Sequence, residues 1–264
     1  LIHLMDSICA DPQLVDIFVY YFDVQNIKIL FKAEIANAYE PHAFYATGRY
    51  SVPSLRELVQ NASPHPEFPP WMIAATSELR EIWKKIPKLR IIDAVWDRAL
   101  LRAQMDGAIK HKRPILANYF SMNIDIHNVE TFIRIRISER SREQFDQFFI
   151  PGGNFPLSHF QNAWSSGIRD IPHHFEKTPF YSMVDKALDE YHSEGSLTML
   201  EIEESRLLID QLDSARYVTF GPEPVLAYLV TRLFEIKILR RIFVAKKNNL
   251  PIEDLRKRVM TYYA

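Results

Sequence analysis

One segment occurs three times along the chain, and that repetition constrains the fold more than any other feature. Leu14 is followed nine positions later by Asp23-Val-Gln-Asn26-Ile-Lys-Ile-Leu30-Phe31-Lys32. Leu116 is followed at the same distance by Asp125-Ile-His-Asn128-Val-Glu-Thr-Phe132-Ile133-Arg134, and Leu226 by Glu235-Ile-Lys-Ile238-Leu-Arg-Arg-Ile242-Phe243-Val244. The copies lie about a hundred residues apart. In the first two the likeness runs on: Phe44-x-x-x-Gly48-x-Tyr50, then Leu55, parallels Phe149-x-x-x-Gly153-x-Phe155, then Phe160. A period of roughly 20 to 50 residues would mean a solenoid, whereas one near a hundred means three similar small domains, which can close into a pseudo-threefold body.

Each copy reads as a long helix. In the second, Leu116, Tyr119, Phe120, Ile124, Val129 and Phe132 recur at three- and four-residue steps on more than one face, the pattern of a helix packed on several sides. Asp and Asn three apart on such a helix need a reason, since a buried polar group costs about 1–3 kcal/mol unless paired. A hydrogen-bond network with neighbouring elements is one reason, and a polar inner wall facing a partner or solvent is another. Ile133-Arg-Ile-Arg-Ile137 alternates like a strand, but it continues the repeat helix.

Glycine usage agrees with an all-helical chain. At a share of roughly 7%, a chain this long would carry about 18 glycines; it has 7 in 264 residues. Neither G-x-G-x-x-G nor G-x-x-x-x-G-K-[ST] can be drawn from them, which excludes nucleotide binding by those loops. Two proline-rich breaks, Ser63 to Pro70 and Ile171 to Pro179, divide the chain into expected domains at 1–62, 71–171 and 180–264. Ser54 is expected to cap a helix from Leu55, Thr76 to Trp83 has helical charge spacing, and Ile252-Glu253-Asp254 opens an expected C-terminal helix. The opening residues, beginning at Leu1, read as the tail of a helix ending near Asp11-Pro12, so the first domain is expected to be truncated at its N-terminus.

A search for chemistry finds no active site. The nine histidines contain no H-E-x-x-H and no i, i+4 pair, so no metal site is expected, and no cofactor either. His173-His174 sits in the second proline break and reads as a solvated loop. No G-x-S-x-G elbow is present. Glu203-Glu204 reads as a solvent face, and Cys9, the single cysteine, as a buried thiol. No apolar run approaches the ~20 residues of a membrane span.

The net charge is -1, without the basic excess of a nucleic-acid binder. Locally the balance breaks down. Residues 185–216 carry nine acids against three bases, and residues 232–258 nine bases against three acids. The basic stretch reads either as a docking surface for an anionic partner or as a helix whose charge its acidic neighbour compensates.

The third block resembles a known family. Gly221-Pro222-Glu223-Pro224-Val-Leu226-Ala227-Tyr228-Leu229, then Glu235-Ile-Lys237-Ile-Leu239-Arg240-Arg241, then Asn249-Leu250-Pro251-Ile-Glu253-Asp254-Leu255-Arg256, is similar to the C-terminal signature of the C subunit of V/A-type ATPases, whose eukaryotic relative is the d subunit. The Asp23-x-x-Asn26-Ile-Lys and Asp125-x-x-Asn128-Val helices match that family's earlier copies. The resemblance implies an all-α, three-domain, pseudo-threefold funnel at the cytoplasmic face of the membrane. It implies a non-catalytic socket between the rotor ring of proteolipid subunits and the D and F subunits of the central stalk. Members usually carry further helix ahead of the Asp23 segment. Here Glu235 and Ile238 replace Asp and Asn in the third copy, so three identical contacts are not expected. Asp23, Asn26, Asp125, Asn128 and Glu235, with Arg240 and Arg241, are the expected partner-binding residues. The rival classes are a helical adaptor unrelated to ATPases and a nucleic-acid-binding module using the basic C-terminal helices.

Overall fold

The computed structural model describes residues 2–9, 11–37, 43–61, 67–219 and 221–249, without the side chains of Ser214, Arg216 and Arg241. Every regular element among them is helical, as expected. Internal packing divides the chain into two units, Leu1–Pro114 and Ile115–Ala264.

The first unit holds α1 (Ile2–Ile8), α2 (Pro12–Ala36), α3 (Val52–Asn61), α4 (Pro70–Lys85) and α5 (Leu89–Lys110). The first repeat segment is α2. Asp11 starts it by accepting the Gln13 N–H at 3.2 Å, and Pro12 occupies a first-turn position where the missing N–H is no loss. Leu14, Val15, Val19, Val24 and Ile27 are wholly buried on different sides of the helix, because α1, α3 and α5 all pack against it. Gly107 lets α5 come close: a β-carbon there would sit 2.8 Å from Ile17 Cδ1. Beside it the Gln104 amide donates to the Ile17 carbonyl at 2.9 Å. Further along, Lys28 meets Asp97 at 2.5 Å and Lys32 meets Asp93 at 2.7 Å, which fixes the register of the two helices. Helices α4 and α5 share this unit with α1 to α3.

The second unit holds α6 (Pro114–Ile137), α7 (Arg142–Phe148), α8 (Leu157–Ala163), a 3-10 helix (Ile168–Phe175), α9 (Tyr181–Glu194), α10 (Thr198–Leu212), a second 3-10 helix (Asp213–Tyr217) and α11 (Glu223–Lys247). The second and third repeat segments are α6 and α11, and the alternating Ile133–Ile137 stretch is helical as expected. An aromatic cluster forms the core around α6. Phe132, Phe145 and Phe160 are buried with ring centroids 5.2–5.5 Å apart, and Trp164 lies 5.7 Å from Phe132. The Arg136 guanidinium stacks over Trp164 and donates to the Ser166 carbonyl at 2.6 Å.

Glycine is so scarce that other residues end the repeat helices in the left-handed region: Asn37 (φ 48°) after α2, Glu139 (φ 51°) after α6 and Asn249 (φ 52°) after α11. That conformation costs a residue with a β-carbon roughly 1–2 kcal/mol. Asparagine tolerates this region better than most residues, so Asn37 and Asn249 are favourable stops, whereas Glu139 is held there by the fold.

Three local expectations are corrected. The cap of α3 is Ser51, whose Oγ accepts the Ser54 N–H at 3.2 Å, because Pro53 is accommodated within the first turn and lets the helix start earlier. The stretch from Ile171 is a 3-10 helix seated by buried Ile171, Pro172 and Phe175. His174 Nε2 lies 2.7 Å from Ser166 Oγ, and only His173 of the pair is exposed. Glu203 is buried and meets Lys186 of α9 at 2.5 Å, so at this position α10 packs on its neighbour where a solvent face was expected. The expected helix from Ile252 lies outside the described residues.

Candidate functional site: two clamped loops and an open helix face

The Asp and Asn of the first two repeats hold loops of their own chain. On α2, Asn26 grips the peptide of Tyr45 from both sides: its Nδ2 donates to the Tyr45 carbonyl at 3.0 Å, and its Oδ1 accepts the Tyr45 N–H at 2.8 Å. One turn earlier the Asp23 carboxylate accepts the N–H groups of Arg49 (3.0 Å) and Tyr50 (3.2 Å). On α6 the arrangement recurs at matching positions. Asn128 grips Ile150 at 2.8 and 2.9 Å, and Asp125 accepts the N–H groups of Asn154 (2.8 Å) and Phe155 (3.1 Å).

These bonds explain the repeated glycine. A β-carbon at Gly48 would lie 2.3 Å from Asp23 Oδ1, and one at Gly153 would lie 2.1 Å from Asp125 Oδ1. Only a glycine lets the loop backbone come close enough to reach the carboxylate. The aromatic that follows anchors each loop: Tyr50 stacks on Phe68 at 4.7 Å, and Phe155 lies 5.2–5.5 Å from Phe175 and Phe180. Of the two readings of the polar pair, hydrogen bonding to neighbouring elements accounts for all four side chains, each at most 1% exposed.

Burial is the main cause that raises the carboxyls of Asp23, to about 6, and of Asp125, against the loop N–H groups that lower them. The two clamps differ at one position. Asn154 adds a side-chain bond to Asp125 at 2.8 Å. Its counterpart Arg49 turns away to Asp6, in a two-pronged contact at 2.6 Å, and to Asp16, tying α1 to α2. That contact with Arg49 holds the Asp6 carboxyl below the usual aspartate range.

The third copy has no such clamp among its described residues at these positions. On α11, Ile238 occupies the place of Asn26 and Asn128 and is buried, while Glu235 meets Arg232 at 2.5 Å. The Arg232 guanidinium also lies 4.9 Å from the Tyr228 ring centre. Much of α11 is open. Ile236, Leu239, Phe243 and Val244 are 50–69% exposed, and Lys237, Arg240, Lys246 and Lys247 are exposed beside them.

Elsewhere in this unit Glu130 of α6 is held well above the ordinary glutamate range, first by burial and then by the Glu204 and Glu201 carboxylates of α10; Arg134 and Lys237 oppose the shift. No group of three or more His, Cys, Asp or Glu among the described residues is arranged to hold a metal ion. No described helix is long and apolar enough to cross a membrane.

Residues 2–258 match the family model of the ATP synthase (C/AC39) subunit. The chain belongs to that family. Among its C/AC39 relatives is the C subunit of the V-type sodium ATPase of Enterococcus hirae, 24% identical over 253 residues, which covers 96% of this chain and 76% of the relative. The C subunit of the A-type ATP synthase of Methanothermobacter thermautotrophicus is 26% identical over 167 residues, covering 57% of this chain and 42% of that protein. Its counterpart in Methanocaldococcus jannaschii is 21% identical over 141 residues, covering 53% and 35%. The C/AC39 match extends through both packing units and all three repeat helices, in agreement with the resemblance read from the sequence. The sequence located the polar positions; what it missed is that the glycine and aromatic of the following loop complete the same device, although their repetition at fixed spacing was the signal.

Proposed function

We propose that the chain is a non-catalytic component of a V/A-type ATPase or ATP synthase that couples the central stalk to the membrane rotor ring. The observation that carries this reading is the C/AC39 family match over residues 2–258. In this reading the protein lies peripherally at the cytoplasmic face and builds its socket from three related helical domains set around a pseudo-threefold axis. Its partners are the D and F subunits of the stalk on one side and the proteolipid ring on the other. Asp23, Asn26, Asp125 and Asn128 act by fixing the two loops they hold, and Arg240 and Arg241, with Glu235, contribute to the docking face. The buried repeat helices α2 and α6 suit a part that transmits torque, since close-packed interiors yield little under load.

The test is capture of the full chain by the purified D–F pair and, separately, by the detergent-solubilised ring from the same organism. Binding to either is the expected result. Failure with both would overturn the reading and leave a helical adaptor.

A further inference from the structure

The aromatic anchor of the second clamp has a neighbour that the first lacks. His159 of α8 lies against Phe155 with ring centres 4.6 Å apart and planes 31° from parallel, and its ring stands 5.1 Å from Phe175 and 5.6 Å from Phe160. Phe155 is also the residue whose N–H closes on Asp125. Counted from Gly153 and Gly48, the matching position of the first loop is Ser54, which cannot take up a proton. The Nε2 of His159 is buried and has no hydrogen-bond partner among the described residues. In a neutral imidazole that nitrogen is at most one unmade bond. In an imidazolium both nitrogens donate and the ring is charged, so a buried N–H without an acceptor costs more. His174 of the 3-10 helix acts on the ring as well, and a charge there opposes a second one. Burial first, and then His174, hold the His159 imidazole below the ordinary histidine range. Other titratable groups on the surrounding elements are engaged elsewhere: Asp125 of α6 by the loop N–H groups, Asp146 of α7 by Gln161, and His173 by Glu176. The contact from α9 is Phe180, against Phe155.

From this geometry we infer that His159 is an acid-sensitive latch on the second loop: taking up a proton drives its ring out of the aromatic nest, frees Phe155 and loosens residues 149–155 from Asp125 and Asn128, while the first loop stays shut. The sign follows from linkage. A histidine that binds its proton less well in the folded chain lowers stability as pH falls through the unfolded value near 6.5. Asp125, raised by burial, acts with the opposite sign, so the two groups pull the same loop in opposite directions on acidification. The inference does not depend on the socket reading.

The test is hydrogen exchange of the full chain followed by mass spectrometry, with peptides covering residues 149–156 and 44–51 and rates corrected for the intrinsic effect of pH. Between about pH 7.5 and about pH 5.5 the protection of the second loop is expected to fall about threefold or more, and that of the first to hold. Because Asp125 titrates with the opposite sign, the decisive quantity is the difference between the wild type and His159→Phe, which keeps an aromatic ring and cannot take up a proton. That variant should match the wild type at the upper pH and keep its protection at the lower. His159→Gln, polar and uncharged, is the second variant should the larger ring disturb the nest, and it should respond in the same flat way. His174→Gln should lessen the fall seen in the wild type. A fall of the same size in both His159 variants overturns the inference, as does a wild-type loop that keeps its protection as fully as they do. Protection that rises with acid relative to His159→Phe overturns it too, since the face of Phe155 would then be holding the imidazolium.

Discussion

The first two repeat helices and the third use the same segment in opposite ways. In α2 and α6 an Asp and an Asn turn inward and close a loop over the helix; in α11 the corresponding Glu235 bonds along its own helix and Ile238 packs inward. The difference shows that the polar pair is an internal fastening, with no polar surface of its own to offer. Where it is kept, the helix is surrounded by its own chain. Where it is lost, the C-terminal half of the helix leaves apolar residues exposed.

The largest expected effect comes from the glycine. Gly153→Ala would drive a methyl group into Asp125 and force the loop off the carboxylate, and a loss of about 3 kcal/mol in chemical denaturation is expected from overpacking and broken bonds together. Gly48→Ala should behave alike, and a wild-type midpoint in either would break the equivalence of the two clamps. Next in size is the amide. Asn128→Ala leaves the Ile150 peptide without its two partners and should lower stability by about 2 kcal/mol, whereas Ile238→Val in the third copy should cost about 1 kcal/mol by cavity formation alone. Equal losses at the two positions would remove the contrast.

The last comparison is a pH dependence that separates the Asp23 clamp from the Asp6–Arg49 contact beside it. Asp23 has a folded pKa raised to about 6, so its proton adds stability as pH falls from about 6 toward its unfolded value near 3.9, and that contribution is lost as pH rises through about 6. Asp6, held low by Arg49, has the opposite sign and loses its contribution on further acidification. A difference curve of melting temperature between the wild type and Asp23→Asn should therefore slope between about pH 4 and 7 and be flat above. A flat difference throughout would mean that the loop N–H groups fully offset the burial of Asp23.

The helical class, the three long helices and the positions of the polar pairs were legible because each is a local periodic signal. What the pairs do was not, since Asn26 and Tyr45 are brought together by a loop whose path no periodicity encodes. Glu203 shows the same limit. A run of acids reads as solvated until a neighbouring helix presents Lys186. Ile171 to Pro179 shows the converse, where prolines that break an α-helix fit a 3-10 turn anchored by buried side chains. The packing of α5 against α2 was hidden because the two helices lie far apart in the sequence and no local pattern pairs them.

The short reach of the clamps has a consequence for the order in which the chain becomes structured. Asn26 and Asp23 bond to residues 19 to 27 positions away, and the second clamp spans 22 to 30. Contacts this close in sequence cost little loop entropy and form ahead of distant ones. Each fastening can therefore shut as soon as its own loop has been synthesised, so that the first two repeats can close in turn from the N-terminus instead of waiting for the whole chain.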